Sequence, residues 1–181
     1  MNTDLLDAFV QSLRGARSDP CDVPGFDPQN GNLNAKLLLL LEAPGPGALA
    51  SKCVSIDNDD PTARNLKALL AKAGIRHDDL IVWNVVPWYC GNPDKTKIEV
   101  PSVRNLAEGI ESLCTLVPLL KNLKAIVLVG STARKAHVRL SATTQARILS
   151  CHHMSQRVLN VNKNAARENK AVFQFLAGTL T

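Results

Sequence analysis

The stretch KLLLLLE, residues 36–42, is a run of five leucines between a lysine and a glutamate. It is far too short to cross a membrane, and a continuous apolar run of this length is typical of a strand buried in a parallel sheet. Three further runs have the same character: LIVWNVV (80–86), KAIVLVG (124–130) and RILSC (147–151). Together the four runs predict a four-stranded parallel sheet.

Helical patterns lie between and before these runs. They cover residues 3–17, 61–74, 102–121 and 131–140. The second has Pro61 near its start and Gly74 at its end, the residues that commonly begin and end a helix. Alternating strands and helices predict an α/β fold, a three-layer sandwich with helices on both faces of a central parallel sheet. We expect a single domain over residues 1–181.

The composition limits the classes of protein to which the chain can belong. Of its 181 residues, 45% are hydrophobic and 20% are charged, unlike a disordered chain or a membrane protein. The N-terminal segment carries acidic residues and no apolar signal core, so we expect a cytoplasmic protein with no membrane partner. The net charge of +5 fits both an ordinary basic protein and one that binds a polyanion such as nucleic acid.

The chain has five cysteines, an odd number, and no Cys-x-x-Cys pair. This pattern disfavours a disulfide framework and a structural zinc site, and it indicates free thiols in a reducing compartment. The cysteines are Cys21, Cys53, Cys90, Cys114 and Cys151.

Unusual residues follow all four predicted strands, at the carboxyl ends where α/β sheets bind ligands. The sequences there are EAPGPGA, NVVPWY, GSTA and CHHMS. The first is a Pro/Gly loop after Glu42, either an ordinary tight turn or a rigid loop whose backbone amides face a ligand. It has neither the Gly-x-Gly-x-x-Gly order of a dinucleotide site nor the Gly-Lys-Ser of a phosphate loop.

Asn84 lies within an apolar strand, where a buried amide must find a partner. It is either satisfied by nearby backbone or available to the edge of a pyrimidine, because an amide offers a donor and an acceptor side by side. Trp88 and Tyr89 follow it and suggest stacking. His152 and His153 are adjacent and would point to opposite faces of an extended chain, so we do not expect them to act as a pair.

These segments resemble the uracil-DNA glycosylase superfamily. LEAPGPGA, NDDPTARNLKALLAKAGI, NVVPWY, VLVGSTARKA and HHMS occur in its order and spacing, over about residues 36–178. The first resembles the Gly-Glu-Ala-Pro-Gly loop of the iron–sulfur uracil glycosylases, with Leu41 in place of the first glycine. HMS resembles the His-Pro-Ser loop, with Met154 in place of proline.

The resemblance implies a monofunctional uracil-DNA glycosylase of base-excision repair, which flips uracil out of DNA and hydrolyses its N-glycosidic bond. Asn84 would read the uracil edge, and His153 would stabilise negative charge on the uracil 2-carbonyl oxygen. Ala43 stands where some relatives have a water-activating Asp or Asn, which leaves Glu42 as the candidate for that role. The other implied contacts are Val54 and Ile56 for the base, and Pro44, Gly45, Gly130, Ser131, Ser155, Gln156 and Arg157 for DNA.

Two departures from the iron–sulfur branch stand out. Cys21 and Cys90 lie in roughly the regions of cluster ligands, but the paired cysteine near the N-terminus is missing, so we predict no cluster, and no other cofactor or metal. The stretch SKCVSIDNDDP (51–61) has no aromatic residue where those relatives stack a phenylalanine on uracil. Val54, Ile56 or a side chain of PWY (87–89) would take that place.

Arg157 stands four residues after His153, where many relatives place the leucine that fills the space left by the flipped base. It resembles the arginine of the single-strand-selective branch, and the alternative is a surface arginine that contacts a phosphate. For the whole chain, which we expect to be a monomer acting on uracil-containing DNA, two alternatives stay open. One is a non-catalytic binder of uracil-containing or damaged DNA. The other is a metal-dependent hydrolase using Glu42 and the Asp57–Asp60 cluster, although that cluster is most simply a solvated loop that begins a helix.

Overall fold

The computed structural model describes residues 4–180, and Thr3, the first residue of the predicted N-terminal helix, lies outside them. This part of the chain forms six strands and eight α-helices. In chain order they are α1 (Asp4–Gly15), β1 (Gly25–Phe26), β2 (Leu37–Leu41), α2 (Pro46–Ser51), β3 (Cys53–Val54), α3 (Pro61–Ala73), β4 (Leu80–Asn84), α4 (Val103–Leu116), β5 (Ala125–Val129), α5 (Gly130–Arg134), α6 (His137–Ser141), β6 (Arg147–Cys151), α7 (Gln156–Val161) and α8 (Ala165–Leu180).

A four-stranded, wholly parallel sheet in the order β4-β2-β5-β6 forms the centre of the described chain. Strand β2 is central because it pairs with β4 on one side and β5 on the other. The side chains of Leu37–Leu40 are fully buried, which explains why this run is continuously apolar rather than alternating. The predicted α/β fold, with a four-stranded parallel sheet covered by helices, is confirmed.

Two predicted elements differ in detail. The run RILSC is predicted to be a buried strand, but β6 lies at the sheet edge and Arg147 and Ser150 are exposed. The single helix predicted over 131–140 is two helices, α5 and α6. Between them the amides of Lys135 and Ala136 bond to carbonyls three residues back, and this tighter turn interrupts the α-helical pattern.

A second, two-stranded parallel sheet lies beside the first. In it Gly25 pairs with Cys53 and Phe26 pairs with Val54. The Phe26 ring stacks on Trp83 of β4, with the ring centroids 3.9 Å apart, so this small sheet is attached to the core. Strands of two residues carry no periodicity, which is why the sequence did not predict them. None of the described helices has the length and apolarity needed to cross a membrane.

Candidate active site

A pocket of about 270 Å³ opens at the edge of the sheet where the parallel strands end. The loops after β2, β4 and β6 all contribute to its lining, as the predicted ligand position requires. It brings together seven of the residues predicted for the site: Ala43, Pro44, Gly45, Val54, Ile56, Asn84 and His153.

Asn84 is the last residue of β4 and is only 2% exposed. It pairs in register with Leu41, and the following backbone amide of Val85 donates to the Leu41 carbonyl, which fixes this strand end beside the loop after β2. Within the described chain the Asn84 amide nitrogen has no hydrogen-bond partner. Leaving a buried donor unpaired costs about 1–3 kcal/mol, so this amide is available to a ligand.

His153 reaches the pocket from the segment that follows β6. Its Nδ1 atom accepts a hydrogen bond of 3.1 Å from the backbone N–H of Ser155. Burial lowers the pKa of the imidazole, although the nearby carboxylates of Glu42 and Asp60 act in the opposite direction. The ring is therefore neutral with its hydrogen on Nε2, so it can donate from that nitrogen.

Gly130 makes room for the His153 ring. Its φ is +90°, a conformation that side chains rarely adopt, and a Cβ atom there would lie 3.2 Å from the ring. The glycine predicted to contact DNA therefore has a visible structural role: it allows β5 to turn directly into α5 beneath the imidazole.

His152 is oriented differently from His153. Its backbone N–H donates to the side-chain oxygen of Asn169 at 2.8 Å, and its Nε2 atom lies 2.6 Å from a carboxylate oxygen of Glu168. Both partners belong to α8, and His152 does not line the pocket. The adjacent histidines thus have different partners and only His153 faces the pocket, which fits the expectation that they point to opposite faces.

Glu42 follows β2 and lies beside the pocket lining rather than in it. The hydroxyl of Thr132, on α5, donates a hydrogen bond to one of its carboxylate oxygens. Glu42 is half-buried, whereas Thr132 is buried. The carboxylate is thus held in one orientation near His153, whose pKa it influences.

The aromatic residues of PWY are not available for stacking in the pocket. Trp88 and Tyr89 are buried outside the lining. The Arg17 guanidinium lies 3.5 Å from the Trp88 ring centroid, and the Tyr89 hydroxyl donates to the Lys97 carbonyl at 2.7 Å. The suggestion that they stack on a ligand is wrong, because the loop after β4 packs these rings inward. Val54 and Ile56 do line the pocket.

The aspartates of the 57–60 cluster point to different partners. Asp57 pairs with Lys67, and Asp59 pairs with Arg64. Asp60 begins α3, where one of its oxygens accepts from two backbone amides, and it also lines the pocket. Within residues 4–180 no group of three or more His, Cys, Asp or Glu side chains is placed to hold a metal ion.

The cysteines do not fit an iron–sulfur cluster. Cys21 is exposed, while Cys90 is buried and its sulfur accepts from the Asn105 amide at 3.6 Å. Burial also raises the pKa of the Cys90 thiol. Two cysteines without further thiolates nearby cannot supply the four ligands of a cluster. That the protein carries none stays a prediction.

The remaining residues predicted to contact DNA follow β5 and β6 on the same edge of the sheet. Ser131, Gln156 and Arg157 are exposed, and Ser155 is half-buried at the start of α7. The segment after HMS is a short helix, α7. Within residues 4–180 the Arg157 guanidinium forms no hydrogen bond or ion pair.

Sequence reasoning gave no role to many residues near the pocket, among them Ile98 and Thr132, and it considered Asp60 only within the metal-dependent alternative. Asp60 reads as an ordinary helix cap, and Thr132 lies one residue beyond the expected Gly-Ser pair. Ile98 belongs to a segment without periodicity. Only the folding of separate segments onto one edge of the sheet brings these residues close to the pocket.

The pocket thus belongs to an α/β protein and presents a buried, unpartnered amide together with a neutral imidazole. A sequence model of the uracil DNA glycosylase superfamily matches residues 28–177, and the chain belongs to that superfamily. Membership supports a DNA-glycosylase type of function in general, that is, a hydrolase acting in base excision and DNA repair. A comparison with curated proteins finds no significant match.

Proposed function

We propose that this protein is a monofunctional uracil-DNA glycosylase formed by one domain over residues 1–181. The observation that carries the proposal is the unpartnered amide nitrogen of Asn84 in a pocket that also contains the neutral His153. Uracil presents a 4-carbonyl acceptor, a ring N–H donor and a 2-carbonyl acceptor along its edges. The Asn84 amide matches the first two groups and the His153 Nε2–H matches the third.

The target base must leave the helix stack to reach this pocket. When the bond between the sugar C1′ and the uracil nitrogen breaks, its electron pair passes to the uracil ring and charge develops on the 2-carbonyl oxygen. A hydrogen-bond donor aimed at that oxygen in a water-excluded site contributes about 3–4 kcal/mol. His153 supplies it as a neutral donor, without giving up its proton.

Glu42 would serve the other half of the reaction. Its carboxylate offsets the positive charge that develops on the sugar and orients the water that attacks C1′. The water oxygen bonds to C1′, one proton passes to the carboxylate, and the uracil anion is later protonated. Thr132 occupies one carboxylate oxygen, which leaves the other for water. The products are free uracil and an abasic site.

DNA would approach the edge of the sheet at which the strands end. Ser131, Gln156 and Arg157 lie there, and the net charge of +5 favours a polyanion. One chain supplies the whole pocket, so a monomer is sufficient for the reaction. The same chemistry fits a cytoplasmic repair enzyme.

The test is a gel assay on a panel of single- and double-stranded oligonucleotides containing uracil, hypoxanthine, xanthine or thymine. We expect multiple-turnover release of uracil, with strand cleavage only after alkali, because a monofunctional enzyme leaves the backbone intact. Tight binding without base release would favour the non-catalytic alternative. Loss of activity in chelator would favour the metal-dependent hydrolase. Release of another base but not of uracil would refute the proposed specificity.

A further inference from the structure

Ile98 lines the pocket and is far more exposed than the branched aliphatic residues of its buried wall. It is 42% exposed, whereas Val54 and Ile56 in the same lining are 5% and 2% exposed. A Cβ atom added to Gly45 would lie 3.3 Å from the Ile98 Cδ1 atom. The side chain therefore lies against the loop after β2, at the open part of the pocket.

The segment that carries Ile98, residues 91–101, is closed on itself by hydrogen bonds at its base. Gly91 and Ile98 form an antiparallel bridge. The backbone N–H of Glu99 donates to the Cys90 carbonyl at 2.7 Å, and the Tyr89 hydroxyl donates to the Lys97 carbonyl at the same distance. Ile98 is held in place between these contacts.

The tip of the same segment is braced as well. The side-chain oxygen of Asn92 accepts from the amides of Thr96 and Lys97, at 3.0 and 2.8 Å. Lys95 forms ion pairs with Asp19 and Asp22, at 2.7 and 2.8 Å. A braced segment holds its side chain in the binding position before the ligand arrives, which reduces the ordering cost of binding.

The described pocket lining contains no phenylalanine, tyrosine or tryptophan. Apolar groups that cover the faces of a flat base add to its binding, and in the described lining aliphatic side chains are placed to provide that contact. Val54 and Ile56 lie in the buried wall. Ile98 comes from a separate segment, and its exposed apolar surface can still be buried by a ligand. We propose that Ile98 covers one face of the flipped base and is a binding residue that determines how tightly the base is held. This inference rests on the proposed function.

The test separates binding from bond cleavage. The ligand is a duplex containing 2′-fluoro-2′-deoxyuridine, which resists cleavage because fluorine disfavours positive charge on the sugar. Its Kd is measured by fluorescence anisotropy. The control, called the unmodified duplex, has the same sequence but contains no uracil. The variants are Ile98→Ala, which removes three carbons, Ile98→Leu, which keeps them, and Val100→Ala. Val100 lies on the same segment and is 80% exposed, but it does not line the pocket.

We expect Ile98→Ala to weaken binding of the modified duplex about tenfold without affecting the unmodified duplex. Ile98→Leu should recover most of the loss and Val100→Ala should resemble the wild type. On cleavable uracil DNA, Ile98→Ala should raise KM more than it lowers kcat. The inference is overturned if Ile98→Ala binds like the wild type, or if Val100→Ala loses as much. If the wild type releases no uracil, the proposed function fails instead, and the binding series still reports on Ile98.

Discussion

His153 and Ser155 are joined by a hydrogen bond of 3.1 Å, in which the backbone N–H of Ser155 donates to the His153 Nδ1 atom. The bond can form only while Nδ1 is unprotonated. Burial acts in the same direction because it lowers the pKa of the ring. A neutral imidazole with its hydrogen on Nε2 is therefore built into the fold before any substrate binds.

The first prediction concerns pH. We expect the single-turnover rate to be level around neutrality and to fall on acidification, because protonation of His153 breaks its bond to Ser155. The unfolded chain binds a proton at this residue at a higher pH than the folded chain does. The free energy of unfolding should therefore decrease as pH falls below the ordinary histidine pKa of 6.5.

Rates and Tm measured between about pH 8 and pH 5 check this prediction, with His153→Gln as the matched variant. In the variant, the free energy of unfolding should depend less on pH, because the contribution of His153 is removed. A wild-type rate that increases on acidification would show that the cationic ring is the active form.

The second prediction separates the two histidines. His153→Ala should reduce single-turnover cleavage about a hundredfold or more, because it removes the donor that faces the developing charge. His152→Ala should have a milder effect, since that ring pairs with Glu168 outside the pocket. Small and equal losses in both variants would rule out the assignment.

The third prediction concerns Asn84. Asn84→Asp presents either two acceptors or a donor in a different place, so uracil excision should collapse and weak cytosine excision could be gained. Asn84→Leu should also abolish excision but leave Tm unchanged or higher, because removal of an unpaired buried donor is neutral or stabilising. Unchanged uracil excision by Asn84→Asp would disprove the base-reading role.

The parts that follow from chain-local patterns were predictable. The leucines of β2 are buried on both faces, and such a run is recognisable without knowledge of its neighbours. Asn84 could be selected because it stands at a strand end, where parallel strands present their residues to one edge. His153 could be distinguished from His152 only by the resemblance of HMS to the His-Pro-Ser loop. Trp88 could not be assigned correctly, since only the packed loop shows that Arg17 covers its ring.

The fourth prediction concerns the carboxylate. Glu42→Gln should lower the single-turnover rate by about two orders of magnitude or more, as expected for a lost base. Thr132→Val should cause a loss of about tenfold by releasing the carboxylate, and Thr132→Ser should restore the rate because it keeps the hydroxyl. Equal rates for Thr132→Val and Thr132→Ser would refute the role of Thr132 in positioning Glu42. The Tm of each variant is the control for correct folding.

Arg157 has the properties required of a residue that enters DNA. It is exposed on α7, and its guanidinium has no partner among the described residues. Leu159, two residues further along, is half-buried in the groove lined by residues of α3 and α8, so it is less free to leave the protein surface. Arg157 is thus the better candidate to fill the space left by a flipped base, and the alternative is a contact with a phosphate.

The last prediction distinguishes these two roles by the form of the substrate. A wedge matters in a duplex, where the vacated space must be filled, and much less in a single strand. Arg157→Ala should therefore lower cleavage of duplex uracil several-fold more than cleavage of single-stranded uracil. Arg157→Lys should restore only part of the rate, because an ammonium cannot stack on the orphaned base as a planar guanidinium does. A phosphate contact gives a different result. Both substrates lose activity equally, and Arg157→Lys restores it fully. The slope of log K against log salt concentration becomes shallower by about one unit.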